Sequence, residues 1–361
     1  MTDGVLHRVV CVRCGTRVDV QAVEIACSGC GQTYPRVGRI PVLLPRPEAH
    51  VELWRRQLAN LTAHANGVKS ALEQEAGAPG VLPAASARVK AMARAVKSQI
   101  DEIVDAVGPA LGGPLQSSEG GLPRGVVEYG YCLHRDWAWG GENDEENEEA
   151  LGAIRAIAGV SAFGRLIVLG AGGCRLAYDL HGACDASETV VVDIDPYLLV
   201  VAEAIVRGQT VALTESSLNV CDADHVSARR ALHAPHGPLG ADRFHFLFAN
   251  GLDPPFADRT FDTVVTPWFI DRVPADLEAF IARLARLVRP GGRWINQGPL
   301  LYASETPVSR RHAREEIFDL AERAGFRIAK WTRRSRPYLV SPLTGRGRVE
   351  TLLTFVAIHT A

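Results

Sequence analysis

The stretch LIVLGAGGCRLAYDL, residues 166–180, decides the fold. Four apolar residues run straight into Gly170, and after Gly173 the apolar positions resume at helical spacing. A strand that passes into a helix through a glycine cluster leaves bare backbone at its carboxyl end, where a ligand can come close. Further on, TVVVDIDP (189–196) is a second β-branched run and carries Asp193 at its end. The pattern repeats in FHFLFA (244–249), FDTVVTPWF (261–269) and RWINQG (293–298), with helical stretches such as DLEAFIARLARLV (276–288) between most of them. This alternation predicts an α/β fold, a doubly wound, Rossmann-like sheet. RPYLVSPL (336–343) and VETLLTFVAIH (349–359) flank a glycine-containing turn with no helix between them, which predicts a closing β-hairpin.

The glycine cluster by itself is a weak signal, and its surroundings sharpen it. A dinucleotide fingerprint needs glycine where Arg175 stands, which disfavours NAD, and no Lys-Ser or Lys-Thr follows, which excludes a P-loop. Asp193 ends the next strand, where a carboxylate can accept the ribose hydroxyls of a bound nucleoside. Asp195 precedes Pro196 and reads better as a helix start. Asn250 and Gly251 follow the third strand, close to where an adenine would rest. Loop, acid, strand order and the run PFADRTFD (255–262) together resemble the class I methyltransferases. The resemblance implies S-adenosylmethionine as cofactor, held by Gly170, Gly172, Gly173, Asp193, Asn250 and Gly251. It departs at Cys174, where a third glycine is common, and at Asn250, where Asp is common.

Three further segments are more specific: HRDWAWGGEN (134–143), TPWFID (266–271) and GGRWINQGPLLY (291–302). They resemble the carnosine N-methyltransferase family, which carries an Arg-Asp-Trp segment before the fold, Phe-Ile-Asp after the fourth strand and Trp-Ile-Asn-x-Gly-Pro-Leu-Leu-Tyr after the fifth. The resemblance implies that Arg135 lies near the methionine end of the cofactor, where a guanidinium can pair with its carboxylate. It also implies that Asp271 faces the acceptor and orients an amine or imidazole N–H, with Trp268, Phe269 and Tyr302 walling the site. The histidine that commonly follows the family's tyrosine is Ala303 here. Blander roles stay open: the tryptophans as core fillers, Arg135 as a cap for the acidic helix that follows, and Asp271 as the N-cap of a helix near Pro274.

Upstream, Cys11-x-x-Cys14 and Cys27-x-x-Cys30 have the spacing of two zinc knuckles. With all four positions filled by cysteine, the expected metal is structural zinc with no open coordination site. A redox pair would sit at a helix start near a βαβ unit, and this segment has neither. Followed by GQTYPRVGRIPVLLP (31–45), the module resembles the small zinc-binding activator subunits of tRNA, rRNA and release-factor methyltransferases. Two helical stretches come next, 51–76 and 83–107, and six glycines and three prolines within 108–125 mark a linker. The expected division is a zinc ribbon over 1–46, a helical segment and linker over 47–124 and a methyltransferase domain over 125–361.

The acidic run 142–149 reads as a solvated helix N-terminus, and 207–242 is a long connection that could cap a substrate pocket. A formal charge of −2 argues against bulk electrostatic binding of nucleic acid or of an anionic membrane, despite eleven basic against four acidic residues within 310–348. No apolar run approaches a membrane span, and MTDGVLHRVVC lacks a signal-peptide core, so the expected compartment is the cytoplasm. The reading is N-methylation of a small-molecule or histidine-type peptide substrate. The alternatives are methylation of tRNA or of a translation protein, and a non-catalytic zinc-ribbon scaffold.

Overall fold

The computed structural model describes residues 4–116, 121–123, 126, 130–140, 144–273 and 276–360. The boundary expected at 124–125, Glu142 of the acidic run, and the helix start expected at Pro274 fall outside these residues. The ribbon holds a short 3₁₀ turn and four small strands, β1 (Ile25–Ala26), β2 (Thr33–Tyr34), β3 (Arg36–Val37) and β4 (Ile40–Leu43). Helices α1 (Pro47–Ala76) and α2 (Pro83–Leu111) form an antiparallel pair. Both start on proline, whose fixed φ suits a first helical turn. The second helix outlasts its expected end by one turn and takes in Pro109.

After α3 (Gly130–Trp137) and α4 (Glu145–Ala158) the alternation begins: β5 (Gly164–Leu169), α5 (Arg175–Ala183), β6 (Ala186–Asp193) and α6 (Pro196–Val206). The long connection contains a hairpin, β7 (Val211–Ser216) and β8 (Ser227–Leu232), paired antiparallel in a sheet of its own. Its second strand, SARRAL, is polar and half exposed, which leaves little alternation to read in sequence. Then follow β9 (Phe244–Ala249), β10 (Phe261–Pro267), α7 (Leu277–Leu287), β11 (Val288–Gly298), α8 (Arg314–Arg323), β12 (Phe326–Tyr338) and β13 (Arg348–His359). The closing hairpin is present, although its first strand starts ten residues before the expected Arg336.

The main sheet has nine strands in the order β12-β13-β11-β10-β5-β6-β9-β4-β3. From β11 to β4 neighbouring strands are parallel, and β13 inserts antiparallel beside β11. The chain runs outward from β5 through β6 to β9 and then returns to β10. The direction of winding therefore reverses between β5 and β10, and open α/β sheets bind ligands at such a switch point.

The ribbon is built into this sheet. Val42 pairs with Phe248 and Leu43 with Ala249 at the β9 edge. One sheet face is covered by α1, α2, α4, α5 and α6, with Trp54 packed on Phe248 at 5.0 Å between centroids. The other face is covered by α7, α8 and the ribbon, whose Val9, Ile25 and Tyr34 share a core with Leu247 and Phe280. Burying a side chain of this size is worth roughly 1.5 to 3 kcal/mol, so the ribbon contributes to the stability of the whole sheet. Among the described residues no helix is long and apolar enough to cross a membrane.

Candidate functional site

At the carboxyl end of β5 the backbone turns sharply. Gly170 and Gly172 take φ values of 67° and 55°. Cys174, standing where a third glycine is common, takes φ 65° and ψ 4°, the left-handed conformation that costs a non-glycine residue about 1 to 2 kcal/mol. The departure seen in the sequence is thus a strained position that the surrounding structure enforces. Asp193 faces this loop from the end of β6. Its Oδ2 accepts the Gly172 N–H at 2.8 Å, and its Oδ1 accepts Ile194 N–H at 2.7 Å and Asp195 N–H at 3.0 Å. Burial pushes its pKa up, against the pull of these three donors. A carboxylate has about four acceptor directions, so one remains free on the Gly172 side.

The Asn250 side-chain oxygen accepts Leu252 N–H at 3.0 Å and shapes its own loop. Gly251 lies against Gly170: a Cβ on it would come within 3.6 Å of the Gly170 nitrogen. The Phe269 ring packs on both glycines, where a methyl group on either would collide with it. Gly170, Gly172, Gly173, Asp193, Asn250 and Gly251 therefore gather at the carboxyl ends of β5, β6 and β9, with the Phe269 ring over Gly170 and Gly251, the Asp136 carboxylate against Gly173, and Gly172 open beside the partly satisfied carboxylate of Asp193. This cradle fits a nucleoside-bearing cofactor.

Arg175, standing where a dinucleotide fingerprint needs glycine, opens α5 and is buried. Its guanidinium donates from Nη1 to the Asp136 carbonyl at 2.6 Å, lies 2.5 Å from the Asp144 carboxylate and bonds Asp179 at 3.0 Å. Trp137 Nε1 donates to the Gly173 carbonyl at 2.7 Å. Together these contacts dock α3 and the start of α4 on the glycine loop. The sequence reading missed this cluster, although the Arg175–Asp179 spacing of four on a helix was a signal for it. Arg135 donates to the neighbouring Asp136 carboxylate at 2.6 Å and sits 5.2 Å from the Tyr338 ring centre.

On the other side of the switch point, Trp268 takes φ 50° and stacks on Tyr338 at 4.0 Å. Arg135, Glu146, Trp268, Gln297, Arg336 and Tyr338 are among the residues lining a cavity of about 250 Å³. The acidic start of α4 is therefore more than a solvated face. Glu146 accepts the Leu339 and Val340 N–H groups, each at 3.1 Å, and Glu149 pairs with Arg336.

Asp271 lies one turn further, away from this cavity. Its Oδ2 accepts Leu301 N–H at 3.2 Å, while Oδ1 is buried with no hydrogen-bond partner. Burial pushes its pKa up to about 6. The N-cap of α7 is Asp276, which accepts Ala279 N–H at 3.0 Å, so the bland reading of Asp271 as that cap does not hold. The Tyr302 hydroxyl donates to the His312 carbonyl at 2.9 Å, and burial together with the Asp271 charge holds its pKa near 12. The structure thus brings Asp271, in the 3₁₀ turn after β10, against the loop after β11 that carries Tyr302, and leaves Trp268 with Arg135 in the cavity.

In the ribbon the four Sγ atoms of Cys11, Cys14, Cys27 and Cys30 lie within 4.8 Å of one another. Two of the separations are 3.5 Å and 3.7 Å, against about 3.8 Å for the edge of a tetrahedron with 2.3 Å metal–sulfur bonds. Each knuckle closes on a glycine: Gly15 N–H returns to Cys11 and Gly31 N–H to Cys27, both at 2.9 Å. The donor set fits zinc. The segment just before Cys11 also grips the loop after Gly251, with Val10 N–H on the Pro255 carbonyl and Ala257 N–H on the Arg8 carbonyl, both at 2.9 Å.

The family profile described as carnosine N-methyltransferase matches residues 133–342, which is more than half of the chain. The chain belongs to the carnosine N-methyltransferase family. The carnosine N-methyltransferase of Dictyostelium discoideum is 44% identical over 45 residues, 12% of this chain and 10% of that protein, so the match spans a small part of the relative. Among solved structures, the chain resembles a Haemonchus contortus phosphoethanolamine N-methyltransferase 2 in complex with S-adenosyl-L-methionine, at 13% identity and a TM-score of 0.44 over 68% of this chain and 62% of the other. It also resembles a chain of the Haloferax volcanii complex that contains the Trm112 methyltransferase activator, at 16% identity and a TM-score of 0.42 over 68% of this chain and all of the other. At these scores the likeness is loose, and the assignment rests on the family match. The span shared with the carnosine N-methyltransferase family covers the glycine loop, Asp193, Asn250, Asp271 and Tyr302, and leaves the ribbon, α1 and α2 outside it.

Proposed function

We propose that this chain is an S-adenosylmethionine-dependent methyltransferase that N-methylates a small-molecule or histidine/imidazole-containing acceptor, with Gly170, Gly172, Gly173, Asp193, Asn250 and Gly251 holding the cofactor and Arg135 near its methionine end. When bound, S-adenosylmethionine supplies an electrophilic methyl group on a cationic sulfur. The chain's part is positioning, because a nitrogen nucleophile must be unprotonated, in line and shielded from water. The observation that carries this reading is the partnerless Oδ1 of Asp271, a buried acceptor beside Tyr302. A buried polar atom without a partner in a native protein calls for a functional reason. An acceptor N–H donated to it would hold the nitrogen lone pair pointing away, toward the methyl group. Tyr302 supplies an aromatic wall beside Asp271 that favours a nearby cation, Phe269 covers Gly170 and Gly251, and Trp268 lines the cavity with Arg135.

The test is Asp271→Asn, which keeps the shape and removes the charge. Methyl transfer falls by about two orders of magnitude or more, while S-adenosylhomocysteine affinity stays nearly constant. Near-normal turnover in that variant would return Asp271 to a structural role.

The ribbon over 1–46 is proposed to carry one structural zinc and to brace the catalytic fold over 125–361, with the helical segment and linker over 47–124 between them. The pairing of β4 with β9 supports this role. The proposed compartment is the cytoplasm.

A further inference from the structure

Asn296 and Gln297 are adjacent amides at the end of β11, and they are used differently. The Asn296 oxygen accepts the Thr266 hydroxyl at 3.0 Å, and its nitrogen donates to the Leu353 carbonyl at 3.1 Å. Both halves are satisfied, which is a structural role. Gln297 is as deeply buried, at 2% exposure, yet only its nitrogen has a partner, the Ala150 carbonyl at 2.9 Å. A carbonyl can only accept, so this bond fixes which end of the amide is nitrogen and which is oxygen. The oxygen, Oε1, is left buried with no partner.

Gln297 lines the cavity that also contains Arg135, Trp268 and Tyr338. Its backbone is rigid there, since its carbonyl accepts Trp268 N–H at 2.8 Å. A fixed, buried acceptor on a residue that lines a cavity has the properties of a selectivity group. A site built to receive an N–H rejects molecules that lack one, because the buried oxygen then stays unpaired.

We propose that Gln297 is a specificity-determining residue, whose side-chain oxygen accepts a hydrogen bond from a second N–H of the methyl acceptor, on the part that lies in the cavity and apart from the N–H that Asp271 orients. The acceptor class is a nitrogen compound that carries a further N–H, of an amine or an amide, besides the nitrogen to be methylated. The inference rests on the proposed N-methyltransferase reading and adds the residue that reads the acceptor.

The test uses the full chain saturated with S-adenosylhomocysteine and measures binding by calorimetry. The probes are carnosine and histidine, which carry N–H groups besides that of the imidazole ring, and imidazole and N-methylimidazole, which carry no further N–H. The expected result is that carnosine or histidine binds the wild type and binds Gln297→Leu about tenfold or more weakly. Imidazole and N-methylimidazole affinities are the same in both, and S-adenosylhomocysteine affinity is unchanged. Gln297→Met, which keeps the side-chain volume, replaces Gln297→Leu should that variant unfold. Equal binding of carnosine and histidine by wild type and variant overturns the proposal, and so does a wild type that binds neither. Failure of the functional reading shows separately, as loss of S-adenosylhomocysteine binding by the wild type or as normal transfer in Asp271→Asn.

Discussion

Arg175 donates from Nη1 to the main-chain oxygen of Asp136 at 2.6 Å, across 39 positions of sequence. The bond joins the first turn of the helix after the glycine loop to the segment that carries Arg135. With Asp144 and Asp179 on the same guanidinium, this one side chain fixes how the pre-fold helix sits on the glycine loop.

Arg175→Met should therefore do two things. Removing one partner from a buried ion cluster leaves the Asp179 and Asp144 carboxylates uncompensated, at a cost of about 3 to 5 kcal/mol in urea unfolding. S-adenosylhomocysteine affinity, read by calorimetry, should fall as well, because the segment is no longer docked. A variant with unchanged stability and affinity would show that the cluster is incidental.

Asp193 and Asp195 should separate cleanly. Asp193→Ala removes the acceptor of three main-chain donors and should weaken S-adenosylhomocysteine binding by roughly 1 to 3 kcal/mol. Asp195 caps α6 through Tyr197 and Leu198 N–H, so Asp195→Ala should cost about 1 kcal/mol of stability and little affinity. The reverse pattern would exchange the two roles.

Asp271 predicts a pH signature. Its native pKa of about 6 lies above the usual 3.8, so the folded state binds more protons than the unfolded state between those values. Stability contributed at this site therefore declines as pH rises through that window, by up to about 3 kcal/mol above pH 6. Asp271→Asn should lack this slope in denaturation measured from pH 4 to 7. Wild-type methyl transfer should fall as pH drops below about 6, where the carboxylate takes up its proton. Parallel pH–stability curves for the two proteins would argue against a perturbed carboxyl.

Cys27→Ser should lower the zinc content from one per chain, measured by metal analysis, because binding and folding of such a site are coupled. The effect should spread to the clamped loop, with faster hydrogen exchange at the Val10 and Ala257 amides. Full zinc retention would mean that three thiolates suffice.

The strands were legible because a buried parallel strand must be apolar along its whole length, and FHFLFA coincides with β9 residue for residue. The hairpin in 207–242 was not legible, since SARRAL is held partly by polar contacts to a distant helix, with Thr214 of its partner strand bound to Glu102. Among the site residues, the glycine loop, its facing acid and the cysteine knuckles were readable from spacing. The Arg175 cluster and the half-used amide of Gln297 were not, because each depends on which groups meet across the fold.

By itself the sequence determined the alternation of strand and helix, the glycine turn with Asp193 opposite it, and the paired cysteines. Each of these depends on side-chain period or on chain geometry within a few residues. Only the tertiary structure decided that β4 of the ribbon joins the sheet beside β9, that Arg175 anchors α3, and that Asp271 and Gln297 each keep one buried oxygen without a partner. Those outcomes depend on hydrogen-bond partners brought together from far apart in the chain, and no local pattern records whether a buried polar atom will find one.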